Sequence, residues 1–422
     1  MSPNQKSTPL TKISNFWKTL GPGLVTGASD DDPSGIATYS QAGSQLGLGL
    51  LWTALITFPL MATIQEMSGR IGLVTDKGIA EVIKENYPKY VIYLTALVSL
   101  PAIILNIGAD LQGMGAVANM IFPSISILVF TIIIAILIIS SIIFFSYSKL
   151  AVIFKWTGLI LLVYLVVPFL VKQDLGQIIK ATIIPHFEFN KDFIGTLVAV
   201  LGTTISPYLF FWEAAMVKED RDNKSLKSIT DVNIKAMRRD NNIGMFFSNL
   251  VMFFVILTTG TVLFNAGIHN INSVQDAAEA LKPAAGDGAY ILFAAGVIGI
   301  GFLAVPVLAG ASSYLISETL GWQEGINKKF HEARGFYLVF ALSVLLSLGL
   351  TFAGVDPIQA LVLTAIIYGL TSPFLIALIL LICNNKKIMG KYTNGKIANS
   401  LGILCLVAMS VAAVALLVTT FS

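Results

Sequence analysis

The strongest constraint on this chain is a run of charge set between two apolar stretches. Residues 21–39 read GPGLVTGASDDDPSGIATY, so three consecutive carboxylates, Asp30, Asp31 and Asp32, precede Pro33. Proline removes a backbone donor and clashes with the preceding turn, so a helix is predicted to break here and leave carbonyl oxygens unpaired. Charge and unpaired backbone persist inside a bilayer only where they line a cavity or a bound ligand. This first broken segment is therefore a candidate cation site, unless the three carboxylates form a polar loop at a membrane surface.

The composition indicates whether that segment lies in water or in a membrane. The 422 residues are 55% hydrophobic and 12% charged, with a mean hydropathy of +0.79, whereas an ordinary soluble domain carries roughly a quarter charged residues. The chain is therefore predicted to be an integral membrane protein with the lipid bilayer as its partner. A net charge of +3 without a basic, aromatic-rich patch gives no support for nucleic acid. Neither Cys383 nor Cys405 has metal-ligand spacing, so no thiolate metal site or disulfide framework is predicted.

Apolar runs of spanning length recur down the chain. Residues 1–20 lack an apolar core followed by a cleavage site and are predicted to be a cytoplasmic tail rather than a signal peptide. After the first broken segment, spans are predicted at about 50–69, 91–118, 125–145, 151–171, 194–217, 243–265, 289–317, 336–353, 357–383 and 399–421. Residues 21–422 are thus expected to form a single transmembrane domain with eleven spans.

The basic residues give the orientation. If the N-terminus is cytoplasmic, all but four of the 27 lysines and arginines fall in cytoplasmic segments. The exceptions are Lys172, Lys180, Lys191 and Lys282. So strong a bias supports the number of spans and places the C-terminus outside the cell. We therefore predict a multi-pass protein of the plasma membrane.

A second interrupted span lies at 194–217. Its middle reads GTLVAVLGTTISPYLFFWEA, in which Thr203, Ser206 and Pro207 interrupt an apolar run. Two interrupted spans at matching places in two halves indicate an inverted repeat with a binding site at the membrane midplane. A proline that only kinks a packed helix is the alternative.

The repeats follow from this spacing. Spans 1 to 5, at about 21–171, and spans 6 to 10, at about 194–383, are expected to form two repeats of opposite orientation. The eleventh span, at about 399–421, is then an appendage. The predicted fold class is an all-α polytopic membrane protein.

Five stretches of sequence form a specific set. They are GPG near the start, DDPSG, LLW at 50–52 followed by GRIGLVTDKGIAEVI, the Thr-Ile-Ser-Pro of the second break, and PFLIALILLICNNKKIMGKYTNGKIANSLG. Together they resemble the Nramp divalent-metal transporters, from about residue 20 to residue 405. The resemblance implies the LeuT-type inverted-repeat fold (5+5 helices plus an eleventh), a transported metal cation, and no cofactor.

The chain departs from the family pattern at both breaks. The family motif Asp-Pro-Gly-Asn, whose first and last residues bind metal, is matched by Asp32 but has Gly35 in place of the asparagine. The family motif Met-Pro-His reads Ser206, Pro207 and Tyr208, so the metal-binding thioether and the histidine are both absent. A second family histidine corresponds to Glu213. The resemblance therefore implies a metal site at Asp32, Gly35 and Ser206. The neighbouring oxygen donors, the Asp31 carboxylate and the Thr203 hydroxyl, are expected to contribute as well.

The missing thioether predicts a change of substrate. Thioether ligands favour softer transition metals, whereas Mg²⁺ prefers oxygen ligands and keeps several of its waters. An all-oxygen site widened at Gly35 therefore suits Mg²⁺, with Mn²⁺ also passing. This pattern resembles the branch described as Nramp-related magnesium transporters.

Proton coupling is not expected. All three histidines, His186, His269 and His331, fall in predicted loops, so no side chain with an ordinary pKa near neutrality lies in the core. An inside-negative potential still favours entry of a divalent cation, by about 4.6 kcal/mol per 100 mV.

Several residues that can carry a proton are candidates for lining a vestibule or a proton route. In the third span, Asp110 aligns with a family glutamate, while the acidic residue one turn earlier corresponds to Ile107. The candidates for the route are Asp30, Asp110, Tyr208 and Glu213.

Other functions are consistent with parts of this sequence. A proton-coupled manganese or iron importer is the alternative within the family, and an amine carrier of the same fold is another. A membrane metal sensor is the alternative of a different class. No catalytic motif appears, so an enzyme is not expected, and no obligatory protein partner is indicated. Glu66 and Glu318 are interpreted as structural, and Lys218 to Ser228 as a solvated loop.

Overall fold

The computed structural model describes residues 21–145, 163–226 and 228–421, and these residues form helices joined by turns and loops. The predicted N-terminal tail and about half of the predicted span at 151–171 lie outside them. The helices are α1 (Pro22–Asp30), α2 (Pro33–Leu46), α3 (Leu51–Thr75), α4 (Ile79–Asn86), α5 (Lys89–Ile121), α6 (Ile127–Phe144), α7 (Val163–Leu170), α8 (Leu175–Ile183), α9 (Lys191–Thr204), α10 (Pro207–Asn223), α11 (Asp231–Val262), α12 (Val274–Glu279), α13 (Lys282–Ala285), α14 (Ala289–Leu320), α15 (Arg334–Phe352), α16 (Pro357–Asn384), α17 (Lys386–Met389) and α18 (Lys396–Phe421).

Within the described residues, eight helical segments are long and apolar enough to cross a membrane. The predicted spans agree with the long helices to within a few residues, except at α3, α10 and α11. Helix α3 continues to Thr75, six residues beyond the predicted end. Helix α10 continues to Asn223, so the start of the predicted loop at Lys218 is helical, and α11 begins at Asp231 rather than near 243. Thr230 and Asn233 form a capping box that starts α11. The prediction was wrong here because apolar runs mark only the part of a helix inside the membrane.

Both predicted breaks are present, and local chemistry accounts for each. Asp32 caps α2 by accepting a hydrogen bond from the Gly35 amide at 2.7 Å, and Pro33 occupies the first helical position. Helix α9 ends at Thr204, and Pro207 starts α10 with Ser206 as its N-cap residue. Each break therefore places two helix ends inside the protein. The backbone N–H and C=O groups at these ends have no partner within their own helix.

Helices α1 and α11 touch through their backbones. A methyl group on Gly27 would lie 2.3 Å from the Gly244 carbonyl oxygen, and one on Gly23 would lie 2.6 Å from the Asn241 backbone. The Asp240 carboxylate accepts hydrogen bonds from the Gly21 and Gly23 amides, at 2.8 Å each. Small residues permit this close approach, so α1 is held against α11 along its length.

Helices α9 and α16 make a similar contact next to the second break. A methyl group on Gly202 would lie 2.1 Å from the Ala365 carbonyl oxygen and 2.3 Å from the Gly369 nitrogen. Backbone atoms cannot yield as a flexible side chain does, so Gly202→Ala is expected to lower the free energy of unfolding by about 1 to 3 kcal/mol.

Chemical denaturation of the purified protein in detergent tests this prediction. Gly195→Ala is the matched control on the same helix, because its nearest neighbour is a Leu416 methyl carbon at 3.9 Å. Equal stability of the two variants would contradict the backbone contact.

An ionic cluster with a buried Glu66–Arg70 pair joins α3 to the half-exposed Arg238 of α11 and to the segment before α18. Glu66 pairs with Arg70 at 3.3 Å and with Arg238 at 3.0 Å. Arg70 also donates to the Tyr392 carbonyl oxygen at 2.9 Å and to Asn394 Oδ1 at 2.5 Å. Both Glu66 and Arg70 are buried, so the structural interpretation of Glu66 is confirmed.

Glu318 also has a structural role. Its Oε2 atom accepts hydrogen bonds from the amides of Ala80 at 2.9 Å and Glu81 at 3.1 Å. These amides belong to the first turn of α4, where unpaired donors favour a carboxylate. The second structural interpretation is therefore confirmed as well.

Candidate cation site

The Asp32 carboxylate lies at the first break and is 2% exposed. Its Oδ1 atom accepts from the Gly35 amide. Its Oδ2 atom accepts from Asn106 Nδ2 of α5 at 2.9 Å and lies 3.5 Å from the Tyr208 hydroxyl of α10. Tyr208, one of the candidates for a vestibule or proton route, is thus in contact with Asp32. Residues from both broken helices therefore meet at one buried carboxylate.

Gly35 borders a space lined by oxygen atoms. A methyl group on Gly35 would lie 3.2 Å from the Asp30 carbonyl oxygen, 3.5 Å from Asp32 Oδ1 and 3.5 Å from the Thr203 hydroxyl. These atoms come from the end of α1, the start of α2 and the end of α9. The predicted contributors Asp32, Gly35 and Thr203 are therefore brought together, along with a carbonyl oxygen of the break.

Ser206 lies beside this group at the second break. Its hydroxyl donates to the Thr203 carbonyl oxygen at 2.5 Å and approaches the Gly202 carbonyl oxygen at 3.3 Å. The hydrogen is used locally, which leaves the oxygen lone pairs of Ser206 for another partner. Ser206 and Thr203 are each 2% exposed, so the site is closed to solvent in this conformation.

The three consecutive carboxylates do not converge. Asp30 Oδ2 accepts from the Ser248 hydroxyl of α11 at 2.6 Å, and Asp31 Oδ1 lies 3.5 Å from the same hydroxyl. The Asp30 and Asp31 side chains therefore reach α11, whereas Asp32 reaches α5. Among the described residues, no group of three or more His, Cys, Asp or Glu could hold a metal ion. All three aspartates are buried within the protein, so they do not form a solvent-exposed polar loop.

The third span contributes a residue that the sequence analysis missed. Asn106 donates to both Asp32 and Asp110, the latter at 3.4 Å. Asp110 Oδ1 also accepts from the Ser34 amide at 3.1 Å. Ile107, the position that the sequence analysis considered, is a buried apolar residue. The four-residue spacing of Asn106 and Asp110 puts both on one helix face and was the available signal.

Glu213 lies apart from this group. It is 1% exposed, and its Oε2 atom accepts from the Thr26 hydroxyl of α1 at 2.5 Å. A methyl group on Gly69 of α3 would lie 3.1 Å from the other oxygen. Glu213 therefore bridges α10 and α1 without contacting Asp32. The histidines at 186, 269 and 331 all lie in loops or turns, as predicted.

The arrangement offers hard ligands to an ion. The Asp32 carboxylate, the Thr203 hydroxyl and the Asp30 carbonyl oxygen border the space beside Gly35. The Ser206 hydroxyl adjoins them through its hydrogen bond to the Thr203 carbonyl oxygen. The sulfur atom of Met252 lies next to the second break, 3.5 Å from the Thr204 hydroxyl and 3.9 Å from the Thr57 hydroxyl. Oxygen donors with a single charge suit a hard divalent cation that keeps part of its water shell.

Comparisons with known proteins identify the family of the chain. The family described as natural resistance-associated macrophage protein-like (Nramp) matches residues 23–419. A divalent metal cation transporter MntH of Caldanaerobacter subterraneus subsp. tengcongensis is 23% identical over 399 residues, covering 93% of this chain and 91% of the relative. A protein of the same name from Verminephrobacter eiseniae is 26% identical over 379 residues, covering 89% and 83%.

Solved structures resemble the fold. The Eremococcus coleocola manganese transporter, crystallised with an aromatic bis-isothiourea compound, gives a TM-score of 0.78 at 17% identity, covering 98% of this chain and 88% of that one. The inward-facing conformation of Mhp1 gives 0.55 at 13% identity, covering 95% and 89%. At these identities the likeness is one of fold, and it confirms the expected all-α LeuT-type architecture.

Proposed function

The chain belongs to the Nramp family of divalent-metal transporters, and from this premise we propose that it imports divalent cations by alternating access, with Mg²⁺ as its main cargo and Mn²⁺ as a second. Asp32 is the main ligand in this proposal. Thr203, Ser206 and the backbone around Gly35 complete the site. Asp31 enters the proposal as a contact to the water shell, because its carboxylate reaches Ser248 instead of the space beside Gly35.

The observation that carries the magnesium proposal is the oxygen lining beside Gly35. The nearest neighbours of a methyl group placed there are three oxygen atoms, at 3.2 to 3.5 Å. A hydroxyl, that of Ser206, stands where the family pattern has a thioether. Without the thioether, the site loses a ligand that binds transition metals more tightly than Mg²⁺. The absence of a side chain at Gly35 leaves room for water bound to the ion.

The proposal includes uptake without proton coupling. The histidines lie outside the described helices. Both Asp110 and Glu213 are held by hydrogen bonds from other helices, Asp110 from the Ser34 amide and Glu213 from the Thr26 hydroxyl. The membrane potential alone supplies a driving force for a divalent cation of about 4.6 kcal/mol per 100 mV.

A proton-coupled Mn²⁺ importer is the second candidate. The buried carboxyl of Glu213 and the names of the relatives favour it. The two candidates differ in the ion carried and in whether protons accompany it.

Proteoliposomes containing the purified protein separate these candidates. Mg²⁺ and Mn²⁺ influx are followed under an imposed inside-negative potential, with a pH dye in the lumen and protein-free liposomes as the control. Saturable Mg²⁺ entry at constant internal pH is the expected result. Entry of Mn²⁺ alone, with acidification of the lumen, would establish the proton-coupled importer. Saturable binding without influx of either ion would identify a sensor.

Ser206→Met is expected to shift selectivity toward manganese. The substitution returns a thioether to the second break, so the ratio of Mn²⁺ to Mg²⁺ uptake should rise about tenfold. Competition between the two ions in proteoliposomes measures the ratio. Ser206→Leu is the matched control, since it adds similar bulk without sulfur. Equal ratios in the two variants would show that crowding, and not ligand softness, governs selectivity at this position.

A further inference from the structure

Several buried polar atoms, including Asp30 Oδ1, have no hydrogen-bond partner among the described residues, and two of them bear on recognition of a cation at Asp32. They are the Asn106 Oδ1 atom on α5 and the Tyr368 hydroxyl on α16. Asn106 is fully buried and Tyr368 is 2% exposed. Buried polar atoms in native proteins are nearly always paired with protein, water or an ion. The site therefore lacks two partners that a ligand can supply.

The orientation of the Asn106 amide follows from its neighbours. Its Nδ2 atom lies 2.9 Å from Asp32 Oδ2 and 3.4 Å from Asp110 Oδ2. Both neighbours are carboxylate oxygens, so the amide must present its NH₂ group to them, because a flipped amide would set oxygen against oxygen. Covalent geometry separates the amide nitrogen and oxygen by about 2.3 Å, which places Asn106 Oδ1 within about 5 Å of Asp32 Oδ2.

Tyr368 reaches the same region from another helix. Its ring stacks on Tyr208, with 5.7 Å between the ring centroids. The Tyr208 hydroxyl donates to the Ser29 carbonyl oxygen at 2.9 Å and lies 3.5 Å from Asp32 Oδ2. The Tyr208 hydroxyl is thus already hydrogen-bonded to the first break, whereas the Tyr368 hydroxyl can still bind another partner.

We propose that Asn106 and Tyr368 hold water molecules that a cation bound at Asp32 retains. The inference rests on the proposed function and refines it, since it names the groups that recognise the hydrated ion. Mg²⁺ binds oxygen at about 2.1 Å, and a metal-bound water donates a hydrogen bond over about 2.8 Å. Together these distances cover the separation between Asp32 Oδ2 and Asn106 Oδ1. The amide oxygen and the phenol oxygen can both accept hydrogen bonds from such water.

Asn106 differs from other buried amides with an unpartnered oxygen because it lies next to Asp32. Asn241 on α11 is equally buried and also has an Oδ1 atom without a partner among the described residues. Its Nδ2 atom donates to the Ala62 carbonyl oxygen at 3.0 Å, not to Asp32. Asn241 is therefore a matched control for loss of a buried amide.

Ion binding by the purified full-length protein in detergent tests the inference. Mn²⁺ binding is followed by electron paramagnetic resonance and Mg²⁺ binding by competition against it. Asn106→Leu and Tyr368→Phe should each weaken Mg²⁺ binding by about fivefold and Mn²⁺ binding by less than about twofold, because Mg²⁺ gives up its waters more reluctantly. Asn241→Leu should leave both affinities unchanged. Tyr368→Phe removes a single oxygen, so it remains informative even if Asn106→Leu fails to fold.

Equal weakening of both ions would overturn the inference, because it would indicate direct ligation or a general structural effect. Unchanged Mg²⁺ affinity in both variants would overturn it too. The measurement uses binding and not flux, so its failure is distinct from failure of the proposed function. A protein that binds hydrated Mg²⁺ through these residues but does not carry it would refute only the transport proposal.

Discussion

Replacement of Asp32 by alanine is expected to abolish measurable uptake. Asp32 is the carboxylate that contacts residues of both broken helices, and it borders the oxygen-lined space beside Gly35. Removing its charge should weaken cation binding by about 100-fold, which corresponds to about 2.8 kcal/mol. Ion influx into proteoliposomes and Mn²⁺ binding in detergent measure the two effects.

The same substitution removes the cap of α2, which alone costs about 1 kcal/mol. Asp32→Asn separates the two roles, because an asparagine oxygen can still accept from the Gly35 amide. Asp356→Ala is the control for capping. Asp356 accepts from the first amides of α16, at 2.9 and 3.2 Å, and it too is followed by a proline. Normal uptake by Asp32→Asn would refute the assigned ligand, and loss of uptake in Asp356→Ala would attribute the effect to capping.

Replacement of Glu66 by alanine is expected to produce the largest loss of stability. Glu66 is 5% exposed and Arg70 is 3% exposed, so the substitution leaves a buried guanidinium without its carboxylate. Removing one partner of a buried ion pair typically costs about 3 to 5 kcal/mol. The lower end is expected here, because Arg70 keeps its bonds to the Tyr392 carbonyl and to Asn394. Denaturant unfolding in detergent measures the loss.

Glu85→Ala provides the comparison for an exposed pair. The Glu85 side chain is 46% exposed and pairs with Lys77, and such pairs contribute at most about 1 kcal/mol. If Glu66→Ala destabilises no more than Glu85→Ala, then Arg70 reaches water in solution and the cluster is not buried there.

The sequence predicts the two breaks well because their causes are local. Proline at the first helical position begins both α2 and α10, and the Asp32 side chain also caps α2. Which carboxylate faces the site depends instead on the neighbours that tertiary packing supplies. Asp30 reaches Ser248 and Asp32 reaches Asn106, residues that lie more than 70 positions away along the chain. Adjacent residues near a helix end point in different directions, so sequence alone cannot assign their roles.

The role of Asn106 also could not be predicted from the sequence. A buried amide in an apolar helix carries little signal, and family likeness drew attention to Asp110 and Ile107 instead. Only the approach of α2 to α5 makes Asn106 a partner of Asp32. The ends of α10 and α11 were misplaced for another reason, since hydropathy stops at the membrane surface and helices do not.

Asp32, the one of the three aspartates whose carboxylate borders the space beside Gly35, has a consequence for voltage sensitivity. Among the described residues, Asp32 has no ion pair with a lysine or arginine. Under the proposed uptake, a divalent ion on one carboxylate therefore moves inward as a net charge of about +1, and the empty carboxylate returns as about −1. An inside-negative potential favours both movements, with about 2.3 kcal/mol per 100 mV available to each if the charge crosses the whole field. The resting potential would thus accelerate the return of the empty carrier as well as the delivery of its cargo, and neither half of the cycle would slow as the potential grows.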